Sequence, residues 1–240
     1  NITDVLAVSF SSNDYIGHAV GPDDPQVKDV SIRTDRLLAD FFKYIDAQIG
    51  MRNVLVVFTA DHGVSPVPEV NQQRRMPGGR ISAAGVADAV QKGIEAKYGP
   101  GKWVAGKTGA SLYLNLKLIA EKGLNQAEVT ETGAAAARAV PHVFRVYTRQ
   151  QMQTASVPGD LFDRRMLAGF NQRRSPDLNI VAEPYYLFEA KGTSHGMPFH
   201  YDAHIPVIFM GDWVKPGRYN FQIAANDIAP TLATMLDVET

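Results

Sequence analysis

The run Val54-Leu-Val-Val-Phe-Thr-Ala60 is what most limits the folds open to this chain. Five apolar residues in succession do not alternate with a period of two, so a strand with one wet face does not fit. The run predicts a central strand covered on both faces, as in a parallel α/β sheet. It ends abruptly in Asp61-His62-Gly63. In open α/β sheets ligands bind at the carboxyl ends of strands, because the loops leaving them converge on a crevice. A carboxylate and an imidazole there offer oxygen and nitrogen donors to a divalent cation. An ordinary Asp-His-Gly turn is the other reading open at this point.

A second strand is expected at Val5 to Phe10, followed by the polar loop Ser11-Ser-Asn-Asp14-Tyr-Ile-Gly-His18. Asp14 and His18 are four apart, so one helical turn would point both side chains the same way. Asp24-Pro25 supplies an N-cap and a proline at the first helical position. The apolar residues Val27, Val30, Leu37, Leu38, Phe41, Ile45 and Ile49 follow at mostly helical spacing, and Gly50 ends the run. An amphipathic helix over 25–49 thus joins the two strands. The unit reads as βαβ with parallel strands and a right-handed crossover, which puts Asp14/His18 and Asp61/His62 on one edge of the sheet.

Residues 66–79 read as a loop, and 81–190 as a further α/β layer. Helices are expected around 84–97, from Asn125 with Asn125 and Glu128 as a capping box, and after Asp160. Strands are expected at 111–116, 142–148 and 178–188. His142 reads as a packing residue, and Arg173-Arg174 as a solvated turn. The organisation expected is a core formed by 1–80 and 191–240, with 81–190 as an inserted subdomain over the crevice. The loop Gly192-Thr-Ser-His195-Gly-Met-Pro-Phe-His200-Tyr-Asp-Ala-His204 concentrates three histidines ahead of a strand at 205–210. A last helix from Asn226 or Asp227 to Leu236 is expected to pack Ile228, Leu232, Met235 and Leu236 on the sheet.

Charge narrows the partners. Lys and Arg number 24 against 25 for Asp and Glu, so neither sequence-independent nucleic-acid binding nor a basic membrane-binding face is expected. No run approaches the roughly 18 apolar residues of a membrane span. With no cysteine, disulfides, thiolate metal sites and cysteine nucleophiles are excluded. The chain starts at Asn1 directly ahead of a strand, which suggests a fragment.

Asp14, His18, Asp61, His62 and one later histidine form a donor inventory suited to two zinc-type ions. Imidazole nitrogens argue against an all-oxygen magnesium or calcium site. Two such ions roughly 4 Å apart stabilise the attacking and leaving oxygens of a displacement at phosphorus. Phosphate-ester hydrolysis is therefore the expected reaction class.

The loop with Asp14 and His18, the strand end Thr59-Ala-Asp61-His62-Gly63, the segment His195-Gly-Met-Pro-Phe-His-Tyr-Asp-Ala-His-Ile-Pro and the tail Asp227-Ile-Ala-Pro-Thr-Leu resemble the alkaline phosphatase superfamily. They are most similar to the branch shared by type I phosphodiesterase/nucleotide pyrophosphatases and cysteine-poor bacterial alkaline phosphatases. The resemblance implies an α/β fold with a mainly parallel sheet sandwiched by helices and an inserted α/β cap. It implies a dizinc site in which Asp14 and His18 share one ion with a late histidine, while Asp61 and His62 serve the other. His195 is the chosen late ligand, His204 the runner-up and His200 the third. The implied activity is phosphate-monoester hydrolysis through a covalent phospho-enzyme, with phosphodiesterase/nucleotide pyrophosphatase activity as the alternative. A non-catalytic metal or phosphate binder is the third reading. The partner would be a small-molecule phosphate ester, and the setting periplasmic or secreted. The threonine or serine nucleophile is expected before Asn1, since Ser11 and Ser12 lack a strand-to-helix elbow. An N-terminal portion of the same protein would then complete the site.

Overall fold

The computed structural model describes residues 3–238. Along the chain come α1 (Ser12–Val20), α2 (Pro25–Ile49), β1 (Val56–Thr59), α3 (Pro68–Gln73), β2 (Gly79–Arg80) and α4 (Ala83–Tyr98). Then follow β3 (Val104–Thr108), β4 (Ser111–Leu114), α5 (Leu116–Glu121), α6 (Gln126–Arg138), β5 (Val143–Thr148), α7 (Arg149–Gln153) and α8 (Leu161–Ala168). The chain continues with β6 (Leu178–Ala182), β7 (Tyr186–Leu187), α9 (His200–Ala203), β8 (Val207–Met210) and α10 (Ile228–Met235).

The main core lies between Ile81 and Ala182. Strands β3-β4-β6-β5 form an antiparallel sheet in that order. Val86, Val90 and Ile94 recur at i+4 along α4, so one stripe of the helix is fully buried. They pack with Val129, Ala134 and Ala137 of α6 against Leu112 and Leu178 of the sheet. Small residues let the two helices approach: a Cβ on Gly93 would lie 2.6 Å from that of Ala136. The helices start on side-chain caps. Ser82 accepts from Gly85 N, and Asn125 from Ala127 N and Glu128 N.

A second cluster holds Tyr147, Met152, Val181 and Phe199. Next to it, Arg145 ion-pairs with Asp160 at 2.5 Å and Asp163 at 2.7 Å. Fully buried Asp163 also accepts from the Tyr147 hydroxyl at 2.8 Å and from Gly159 N. Arg145 thus ties β5 to the start of α8, and its guanidinium is held protonated by these partners.

The flanking elements are less covered. β1 pairs with β8 antiparallel, with Val56 opposite Met210 and Thr59 opposite Val207. The βαβ expectation is corrected here: among the described residues 5–10 carries no strand pairing, and Val5 and Leu6 lie exposed. An apolar run specifies burial but not which strand it pairs with, and among the described residues its partner is β8. Helix α2 spans the expected 25–49, with Asp24 accepting from Gln26 N, yet buries no residue. The 178–188 stretch divides at a turn into β6 and β7, and β7 pairs parallel with β2. Helix α10 follows a short 3-10 turn and has no buried residue, so the expected burial of Ile228, Leu232, Met235 and Leu236 on the sheet is not made among the described residues.

Candidate metal centre

Helix α1 carries Asp14 in its first turn and His18 in its last. The spacing brings them together, with His18 Nε2 3.5 Å from Asp14 Oδ1. The other ring nitrogen, His18 Nδ1, lies 2.8 Å from the Thr193 carbonyl oxygen. A carbonyl only accepts, so Nδ1 carries the proton and the Nε2 lone pair faces Asp14. His195 Nε2 approaches the same carboxylate oxygen at 3.7 Å. The donor atoms of Asp14, His18 and His195 lie within 4.8 Å of one another. Tetrahedral zinc with bonds of about 2.0–2.1 Å separates its ligand atoms by roughly 3.3 Å. The 3.5 and 3.7 Å separations therefore fit one such ion.

His62 comes to the same cluster. Its Nδ1 lies 2.8 Å from Gly63 O, leaving Nε2 as acceptor 3.9 Å from Asp14 Oδ1 and 3.4 Å from Asp61 Oδ2. The His62 ring stacks on that of His195, centroids 3.3 Å apart. Asp14 is thus within 4 Å of three imidazoles. Asp61 stands at the rim, with its side chain 87% exposed. Partial burial, followed by the charges of His62 and His18, holds the His195 imidazole below its ordinary pKa. That favours the neutral ring a metal needs. His200 and His204 lie on the surface with their rings 4.6 Å apart, and neither belongs to the Asp14 cluster. His142 pairs with Glu183 at 2.9 Å and stacks on Tyr186.

Several supports carry no chemical signature in the sequence. Thr193 is buried, accepts the His18 Nδ1 proton on its carbonyl and donates its amide to His18 O at 2.9 Å. Its hydroxyl donates to Ser65 O at 2.5 Å, and Ser65 N donates to Ser194 O. Gly192 lies with φ of 65° against His18 O, where a side chain would collide. The glycine flanking this short Thr-Ser segment was the one available hint of a close backbone approach. Asp202 is buried under the His195 loop, and burial pushes its carboxyl up to about 6.

A carboxylate and imidazoles gathered where α1 and two loops meet, on a frame of helices and mixed sheets, define an alkaline phosphatase-like α/β protein. The crystal structure of wild-type alkaline phosphatase PafA matches with a TM-score of 0.86 and 32% identity, covering 95% of this chain and 44% of that one. The chain belongs to the type I phosphodiesterase / nucleotide pyrophosphatase family, whose model matches residues 1–204. A relative from Elizabethkingia meningoseptica, named alkaline phosphatase PafA, is 32% identical over 241 residues, covering 100% of this chain and 44% of the relative. Another, from Myroides odoratus and named calcium-transporting ATPase, is also 32% identical over 241 residues, covering 99% and 44%. The chain therefore spans less than half the length of these relatives.

Proposed function

We propose that this chain is the part of a metal-dependent phosphoric ester hydrolase that holds most of a dizinc site, and that its substrates are phosphate monoesters. The observation that carries the reading is the convergence of Asp14, His18 and His195 at separations suited to a tetrahedral cation. A bound zinc would supply Lewis acidity toward phosphoryl oxygens and the leaving alkoxide. Asp14, His18 and His195 would hold one ion, while Asp61 and His62, at the edge of the same cluster, would contribute to the other. Thr193 keeps His18 in the tautomer that presents Nε2, and Gly63 O does the same for His62.

The two relatives carry different names, and donor chemistry favours the first. A calcium site calls for oxygen ligands, whereas imidazoles surround Asp14 here. The phosphodiesterase reading is the alternative, favoured by the description of the family model. The remainder of the protein is proposed to contribute a threonine or serine nucleophile, which would form the covalent phospho-enzyme, together with the missing zinc ligands. Residues 81–190, whose core is largely their own, are assigned as the cap, and 1–80 with 191–240 as the metal-binding core.

The test uses the full-length protein. Metal analysis is expected to give about two zinc ions per chain, with p-nitrophenyl phosphate turned over faster than bis-p-nitrophenyl phosphate. Asp14→Ala is expected to lower monoester turnover by about 100-fold or more, since it removes the carboxylate that would share one ion with His18 and His195. Fewer than one zinc per chain, or full turnover by Asp14→Ala, overturns the metal reading. Faster diester cleavage moves the assignment to the phosphodiesterase alternative.

A further inference from the structure

Asp202 sits on α9, 5% exposed, directly beneath the loop that presents His195. Its Oδ2 accepts from Met197 N at 2.7 Å. That amide belongs to the second residue after His195, so the carboxylate helps fix the turn from which the ring projects. The main-chain oxygen of Asp202 accepts from Gly63 N at 2.7 Å, next to His62. Gly63 is held so close that a side chain there would strike the Tyr201 carbonyl. One residue therefore joins the His195 loop to the Asp61-His62 loop.

Packing does not account for the carboxylate. Asp202 Oδ1 is buried with no hydrogen-bond partner among the described residues. A buried charge with an unpartnered oxygen is costly unless an opposite charge lies near. The two loops that Asp202 holds carry His62 and His195, whose rings stack on each other, and second-sphere partners of such rings govern their orientation and metal affinity.

We propose that Asp202 is a positioning residue of the metal centre, holding the His195 and His62 rings in register with Asp14 and opposing the charge of a cation bound there. This rests on the metal reading of the cluster, and the experiment separates the two. In the full-length protein, zinc affinity is measured by chelator competition for the wild type, Asp202→Ala, Asp202→Asn and His195→Ala. The absorption spectrum of each cobalt-substituted form and the melting temperature of each metal-free form are recorded alongside.

Asp202→Ala is expected to weaken zinc binding about 10- to 100-fold and to change the cobalt spectrum. Asp202→Asn keeps an acceptor for Met197 N but loses the charge, and is expected to weaken binding several-fold. Where the alanine variant does not fold, the asparagine variant decides. A folded variant with wild-type zinc affinity and cobalt spectrum, whatever its melting temperature, overturns the positioning role. If His195→Ala also binds zinc as the wild type does, the metal reading itself fails.

Discussion

His18 and His62 each give Nδ1 to a main-chain carbonyl, Thr193 O and Gly63 O, at 2.8 Å. The tautomer of each ring is thus set by backbone, which no side-chain substitution elsewhere easily shifts. This explains which residues could be read from the sequence. Donor chemistry singled out Asp14, His18, Asp61, His62 and His195 in the sequence, and the structure gathers Asp14, His18 and His195 within 4.8 Å of one another. Thr193, Ser65 and Asp202 were not singled out, because a buried small polar residue and a surface one look alike until the loops are packed. His62 was separable from Asp14 in sequence and is not in space, since the two loops converge. Gly63 bears on that convergence. Gly63→Ala would push Cβ into the Tyr201 carbonyl, and main-chain atoms cannot swing aside as a flexible side chain does. The expected cost is about 1–3 kcal/mol of stability, together with weaker zinc binding, read by denaturant unfolding and chelator competition. An alanine variant as stable as the wild type would show that the two loops are not locked together.

Among the elements, α2 was legible to the residue, because Asp24-Pro25 and Gly50 are local start and stop signals independent of tertiary context. Strand partners were not legible: 5–10 and 54–60 were expected as parallel strands of one βαβ unit, whereas among the described residues 5–10 forms no strand and β1 pairs antiparallel with β8. Helix α8 shows how a terminus is held. Asp160 and Asp163 form a capping box, and Asp160 also pairs with Arg145 of β5. The Arg145 side chain, then the Asp163 amide, draws the Asp160 carboxyl down to about 2. A carboxyl depressed on folding stabilises fully above its unfolded value near 3.9, and that contribution is lost as pH falls toward about 2. Melting curves between pH 2 and 5 are therefore expected to show a steep acid loss in the wild type and a shallower one in Asp160→Asn. Equal slopes in the two proteins would mean that this ion pair does not govern acid stability.

At the scale of the whole molecule, apolar cover is uneven. The cluster from Ile81 to Ala182 is closed, whereas α2 buries nothing and β1 and β8 form a two-stranded sheet with Phe58, Ile208 and Met210 exposed. The run at 54–58 called for cover on both faces, and the described residues do not supply it. A two-stranded ribbon is marginal alone, and apolar side chains left exposed together on it are suited to cover by further chain. Matched relatives are more than twice as long as this chain, which covers 44% of them. The proposed cover is accordingly the remainder of the same protein, the portion assigned above to complete the metal site. Leu37 discriminates, because it is 63% exposed here on the helix whose apolar spacing foretold a buried stripe. An exposed leucine tolerates substitution within about 0.5 kcal/mol, whereas truncating a buried one costs about 2–5 kcal/mol. In the full-length protein, Leu37→Ala is expected to fall in the second range by urea unfolding, as a residue of the completed core. A loss under about 0.5 kcal/mol would leave α2 on the surface and remove the remainder of the protein as its cover.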